Sequence, residues 1–308
     1  MPVANVFKLH GLKTPGTFYN NLESATPDSG IDELSVMANG DTEPGFVANG
    51  EEKPRIPLQT YQIASALAEV GLTGNPLPAG DTDLLYRRME NRGSRYALAS
   101  NEHFRLRMSN AFAYLTQITA GHHKRATADM TIIPLKPDAS NPAYVPAGSQ
   151  AIADEALPDE NFVLGPVLIQ REGDAAATVL DCVHDMTLQM ETQTTELGCA
   201  SEESPSFGAV DSVKTTLQLT TYDASYWETH HAKKLISFTV FLIKKDPDGG
   251  NLDFATAEHI AFTGSAGKMI VEQLSGDPVE ARLMASLRRP AAGTPALAAN
   301  VASAIVLP

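Results

Sequence analysis

Three stretches decide the fold class: TVLDCVHDMTLQM at residues 178–190, VKTTLQLTT at 213–221 and LISFTVFLI at 235–243. In the first, Leu180, Cys182, Met186, Leu188 and Met190 fall on one side, and Asp181, Asp185, Thr187 and Gln189 on the other. Alternation of that length fits a strand with one buried and one wet face, and excludes a helix. The second stretch sets Val213, Leu217 and Leu219 against Lys214, Thr216, Gln218 and Thr220. The third is apolar on both faces, as a doubly covered strand must be. Polar connections separate the three, so the core is a long antiparallel sheet. The expected class is mainly β: an antiparallel β-sandwich or barrel with one flanking helix and a C-terminal helix.

The chain of 308 residues is long enough to bury a substantial core as one large or two small domains. A hydrophobic content of 43% with 19% charged residues is ordinary for a globular protein. The formal net charge of -14 argues against broad binding to nucleic acid or an anionic membrane surface. Two cysteines, Cys182 and Cys199, are too few for a disulfide framework. Met1 to Lys13 carries no secretory apolar core, and no run reaches membrane-spanning length, so a soluble protein made inside the cell is expected.

Residues 1–55, rich in Gly, Asn, Asp, Pro and Ser, read as a loop-rich entry with one or two short strands. Residues 56–276 form the β core. Thr60 is expected to cap a helix with Ile63, Leu67 and Val70 on one face, stopped by Gly71 and Gly74. Phe104, Leu106 and Met108 alternate with Arg105 and Arg107 as in a strand. Ala126–Leu135 reads as a strand placed toward an edge by Pro134, and 136–160 as a loop. In 277–308, Asp277, Pro278 and Glu280 make a helix-start signature before Val279, Leu283, Met284 and Leu287. An Ala/Pro-rich arm ending in Ile305, Val306 and Leu307 follows.

Two longer-range patterns stand out. His122-His123-Lys124-Arg125 with the following strand and Leu135-Lys136-Pro137-Asp138 resembles His230-His231-Ala232-Lys233-Lys234 with its strand and Lys245-Asp246-Pro247-Asp248. A duplicated β-lobe, about 56–140 and 160–276, accounts for that similarity as well as chance does. Charge is also uneven. Eight basic residues lie between Arg87 and Arg125 against Glu90 and Glu102, while thirteen acids lie between Asp154 and Asp211 against Arg171 alone. Either each segment is a solvated surface, or the two meet across a subunit boundary. Arg87, Arg88, Arg105 and Arg107, with Trp227, Ile305 and Leu307, are therefore candidate inter-subunit contacts.

Local motifs for chemistry fail one by one. Adjacent His122 and His123 on a strand would point to opposite faces and cannot easily share a metal. The acidic turn Asp246–Asp253 resembles a calcium loop but lacks the EF-hand glycine and bidentate Glu. Gly264-Ser265-Ala266-Gly267-Lys268 has Phe262 and Met269 where a phosphate loop needs Gly and Ser or Thr. No catalytic, cofactor-binding or metal-ligating residues are assigned, and no enzyme activity or cofactor is expected.

The layout resembles that of the major tail tube proteins of tailed bacteriophages. The resemblance runs from Lys53 to Gly267 and rests on Leu58-Gln59-Thr60 to Gly74, Phe104–Met108, Ile118-Thr119-Ala120, Ile132-Ile133-Pro134-Leu135, Phe162–Val167 and Ser212–Leu217 leading into Tyr222-Asp223. It implies a β-sandwich with one flanking helix, assembled into stacked rings, usually of six, whose sheets line a channel for DNA. With a duplicated lobe the ring would hold three chains. The implied partners are further copies of the chain, other tail proteins and passing DNA held without sequence preference, and no membrane. The implied location is the virion tail, assembled in the host cytoplasm. Asp181, Asp185 and Glu191 are the candidate channel-lining acids, placed to repel phosphates. Two other readings stay open: a capsid or decoration protein, and a monomeric β-rich binding domain.

Overall fold

The computed structural model describes residues 6–36, 46–90, 94–138, 142–155, 159–198, 204–223, 235–276 and 278–308. In chain order the elements are β1 (Phe7–Lys13), β2 (Phe18–Tyr19), β3 (Leu22–Ala25), β4 (Ile31–Val36), β5 (Phe46–Glu52), β6 (Ile56–Thr60), α1 (Ile63–Glu69), β7 (Asn75–Pro76), β8 (Thr82–Arg88), β9 (His103–Met108), β10 (Ala111–Gly121), β11 (Lys124–Pro134) and β12 (Val145–Gln150). There follow β13 (Phe162–Arg171), β14 (Thr178–Leu180), β15 (Val183–Leu197), β16 (Phe207–Thr221), β17 (Leu235–Lys244), β18 (His259–Ser275), β19 (Glu280–Leu287) and β20 (Leu297–Ser303).

A broad antiparallel sheet runs in the order β3-β6-β11-β10-β15-β16-β19-β18. Two flanking sheets, β2-β1-β8-β9-β12 and β14-β13-β17-β18-β20, share its core. Strand β18 belongs to both layers: its first half pairs with β17 and β20, its second half with β19. The crossing falls at Gly264–Gly267, where a Cβ on Gly264 would lie 2.4 Å from the Phe238 ring. The failed phosphate-loop motif is thus a strand bend that carries one chain from sheet to sheet. The core between the layers holds Leu58, Ile118, Met130, Leu188, Leu217 and Leu283 from the broad sheet against Leu12, Leu84, Val167, Val240 and Leu242. The molecule is a sandwich and not a closed barrel, because β3 and the second half of β18 remain sheet edges.

The sandwich is built twice. The Arg88 amide donates to His103 Nδ1, and His103 Nε2 lies 2.9 Å from the Ala97 carbonyl. The Lys244 amide donates to His259 Nδ1 in the same way, and His259 Nε2 lies 2.9 Å from the Asp253 carbonyl. Both histidines are fully buried. The bridge Met89↔Arg95 recurs as Lys245↔Asn251. The hairpin Leu22–Thr60 recurs at the same length as Val183–Thr221, with the same register shift one step in. Thr60 and Thr221 end those hairpins fully buried, and each hydroxyl accepts the amide two residues on. The shift at Leu115/Gln117 between β10 and β11 recurs at Val271/Gln273 between β18 and β19. The repeats therefore run from β1 to β12 and from β13 to β20.

This alignment corrects the one read from the histidine pairs. The strand before Lys245-Asp246-Pro247-Asp248 corresponds to β8, not to β11, and the first 55 residues and the last segment belong to the repeats. The entry, expected to hold one or two short strands, holds β1–β5. The region 136–160, read as loop, contains β12.

The expected C-terminal helix is β19. Ala281, Leu283 and Ala285 point inward between β16 and β18, and this period-2 set outweighs the helix propensity of Ala, Leu, Met and Arg. Asp277 lies outside the described residues. β11 is central, not an edge: it pairs with both β10 and β6, and Pro134 is tolerated because β6 pairing ends at Ile132↔Ile56. The run 178–190 breaks at Asp181-Cys182, where Cys182 adopts a φ of 54°; β14 pairs with β13, and β15 with β10. Cys182 is exposed, not buried with the apolar set.

Helix α1 forms where expected but with a different cap. Its N-cap Gln62 makes no capping bond with its side chain, which is spent on the Asn20 and Asn21 amides and the Phe18 carbonyl. The Glu160 carboxylate, two residues before β13 of the second repeat, instead accepts the Ala64 and Ser65 amides. That bond ties the repeats together, with an anion at the positive end of the helix.

Candidate functional site

The broad sheet presents one face to the core and one outward. Register alone fixes the outer face. Starting from the β3 edge, one row reads Ser24, Gln59, Asp129, Gln117, Gln189, Thr216, Ser286 and Lys268, crossing every strand of the sheet. The adjoining row includes Thr127, Thr119, Thr187 and Gln218, with the Thr119 and Thr127 hydroxyls 2.8 Å apart. These side chains bond one another: the Gln59 amide donates to Asp129 at 2.7 Å, and Arg282 donates to Gln218 at 2.8 Å. Burial pushes the Asp129 carboxyl up from its ordinary range, and the Gln59 bond partly offsets that.

Charges on this face are mostly tied in pairs. Lys124 lies 3.6 Å from Asp185, Lys214 3.0 Å from Glu191, and Arg282 3.0 Å from Glu272. Of the candidate channel acids, Asp185 and Glu191 share the outer face of β15. Asp181 does not: it sits in the exposed turn before that strand. The face is a surface of amides and hydroxyls carrying paired charges, rather than an acidic one. At its rim, the His184 ring stacks on Tyr222 with centroids 4.5 Å apart. His184 Nε2 lies 3.6 Å from Asp185 and 3.7 Å from Glu280. His122 and His123 occupy the tight β10–β11 turn, their rings edge to face at 4.1 Å. Among the described residues no group of His, Cys, Asp and Glu is arranged to hold a metal ion.

At one end the outer face turns apolar. Phe112, Tyr114, Ile133 and Leu135 form a small cluster there with Val210 of the β15–β16 hairpin packed against it. The far half of that hairpin passes beyond β10 and folds over this cluster. Arg55 holds it, bonding Tyr114 Oη at 3.1 Å and Glu196 at 2.6 Å. Leu197 and Phe207, opposite one another at its tip, stay exposed.

The four candidate contact arginines are all engaged within the chain. Arg107 grips Asp83 with two bonds at 2.8 and 2.9 Å, and Arg105 lies 3.7 Å from the same carboxylate. Arg88 pairs with Glu102 and lies over the Tyr96 ring, and Arg87 donates to the Tyr96 carbonyl. Ile305, read as a contact to a neighbour, is buried against Val163, Phe241, Ile243 and Ala261 of its own chain. Leu307 is exposed. Trp227 lies outside the described residues. Sequence reasoning missed an apolar pocket of about 600 Å³ over the first flanking sheet, lined by Phe7, Ile56, Tyr86, Phe104, Leu106 and Tyr144. Alternation picked out Phe104 and Leu106 as one face of a strand, and nothing in the pattern said that this face would be left open.

Among the described residues no helix is long and apolar enough to cross a membrane. Neither a protein-family model nor a curated protein matches the chain.

Proposed function

We propose that the chain is a structural virion subunit that assembles into stacked rings forming a phage tail tube. The broad sheet would line the channel through which DNA passes. The observation that carries this reading is the outer face of the broad sheet: a row of mostly uncharged polar side chains crosses all eight strands, and Lys124, Lys214 and Arg282 on the same face are each held by a carboxylate. A wall that DNA must pass without sticking needs hydrated, uncharged groups and few free cations, because each phosphate contact adds salt-dependent affinity. The six-position ring of the tail tube proteins that the sequence resembles would be filled by three chains of two repeats each. Further copies of the chain, other tail proteins and transiting DNA are its partners, and the tail of a virion assembled in the host cytoplasm is its location. It is not an enzyme in this reading, and it needs no cofactor.

Negative-stain electron microscopy of the purified protein over a concentration series tests this. Hollow tubes or rings with a regular axial repeat are expected. Dispersed monomers at every concentration would favour a decoration subunit instead.

A further inference from the structure

The two repeats join into one broad sheet where the last broad-sheet strand of the first repeat, β10, pairs with the first of the second repeat, β15. Among the described residues, each has a counterpart that is left without such a partner. The counterpart of β10 is the second half of β18, which beyond Lys268 pairs with β19 alone. The counterpart of β15 is β3, which pairs with β6 alone. From these we infer that a second copy of this chain docks head to tail, the edge formed by its β3 and the following Thr26 and Pro27 adding to the end of β18 and reproducing the internal seam between chains. This rests on the assembly reading above and names the joint that would close it.

The register follows from the matched bulges. Ile118↔Leu188 in the internal seam becomes Leu274↔Pro27 between chains, and Thr119↔Thr187 becomes Ser275↔Thr26. Pro27 has no N–H to give across that joint, which costs the pairing one bond and also guards the free edge against indiscriminate strand addition.

Exposure points to the same joint. Ile118 is 0% exposed at the internal seam, whereas its counterpart Leu274 is 39% exposed. Phe162, which opens β13 beneath the seam, is 2% exposed, whereas its counterpart Phe7 is 37% exposed. The open pocket lies at the same place: Tyr86 and Phe104 line it half-buried, while their counterparts Leu242 and Ile260 are fully buried. Helix α1 of the first repeat packs against β20 of the second. The first repeat's own flanking sheet awaits the same cover from a neighbour. A joint built by one heterologous contact repeats until it closes as a ring or runs on as a filament.

The test is disulfide trapping in the full chain with Cys182 and Cys199 replaced by Ser. Ser275→Cys with Thr26→Cys sets two thiols opposite one another in the expected register. Ser275→Cys with Ser24→Cys shifts one by two residues. Oxidation should link the first variant into chains or closed rings on non-reducing gels, at least tenfold more than the second. A companion variant, Leu274→Asp, should leave the monomer's circular dichroism and melting unchanged, because Leu274 is already at the surface, while abolishing assembly. Rings or tubes in the microscope without register-specific linkage would overturn the joint and leave the tube reading standing. Register-specific linkage that yields only open, solid filaments would uphold the joint and overturn the tube. Monomers that neither link nor assemble at any concentration would overturn both.

Discussion

The first and second repeats share hydrogen bonds down to single residues, yet they differ in how completely they are buried. The second repeat's flanking sheet is sealed by elements of the first: α1 packs on β20, and β11 lies against β13. Over the first repeat's flanking sheet the space beneath Phe7 and Tyr86 stays open among the described residues. Equal backbone architecture therefore does not mean equal local stability, because an apolar side chain contributes by the area it removes from water.

The largest expected effect is a difference between counterparts. Phe262→Ala should destabilise the monomer by about 3–5 kcal/mol and Leu106→Ala by about 2 kcal/mol, since the former removes the larger side chain from an enclosed site and the latter a side chain that faces the open pocket. Denaturant unfolding measures both, and equal losses would break the comparison. Next come the paired histidines. His103→Ala and His259→Ala each orphan a strand-end amide and a loop carbonyl, and each should cost about 1–3 kcal/mol. Here near-equality is expected, since the bonding is the same in both repeats. Glu160→Ala removes the anion that caps α1 from just before β13 and should cost about 1 kcal/mol in thermal unfolding.

The smallest effects lie on the outer face. Asp129→Asn should raise the melting temperature at pH 7 and lose that advantage as the pH falls below 3.8. The sign follows from the raised carboxyl: the folded state holds the proton more tightly than the unfolded one, so folding weakens as pH rises through that window. Glu191→Gln, which breaks only an exposed pair with Lys214, should change stability by under about 0.5 kcal/mol.

Much of this was legible in the sequence where one physical pattern acts alone. The alternation of Met186, Leu188 and Met190, or of Leu217 and Leu219, gave the central strands because one face is buried and the other wet. Legibility ended where tertiary context decides. Ala281–Leu287 satisfies both a helical and a period-2 reading, and only the gap between β16 and β18 selects the strand. The duplication was invisible in the histidine pairs, because what is preserved is backbone register and one buried histidine per repeat, while most side chains differ. Of the three candidate acids, Asp185 and Glu191 lie on the outer face of β15 and Asp181 lies in the turn before it. The neutralisation of Asp185 and Glu191 by Lys124 and Lys214 comes from neighbouring strands, and no local spacing reveals it.

The internal seam also has a kinetic meaning. Because β10 and β15 lie on one polypeptide, their pairing proceeds at the effective concentration of a tether, of millimolar order, however dilute the protein is. Half of the repeat-to-repeat joints in any larger assembly would thus form during folding, and dilution could dissolve only the remainder.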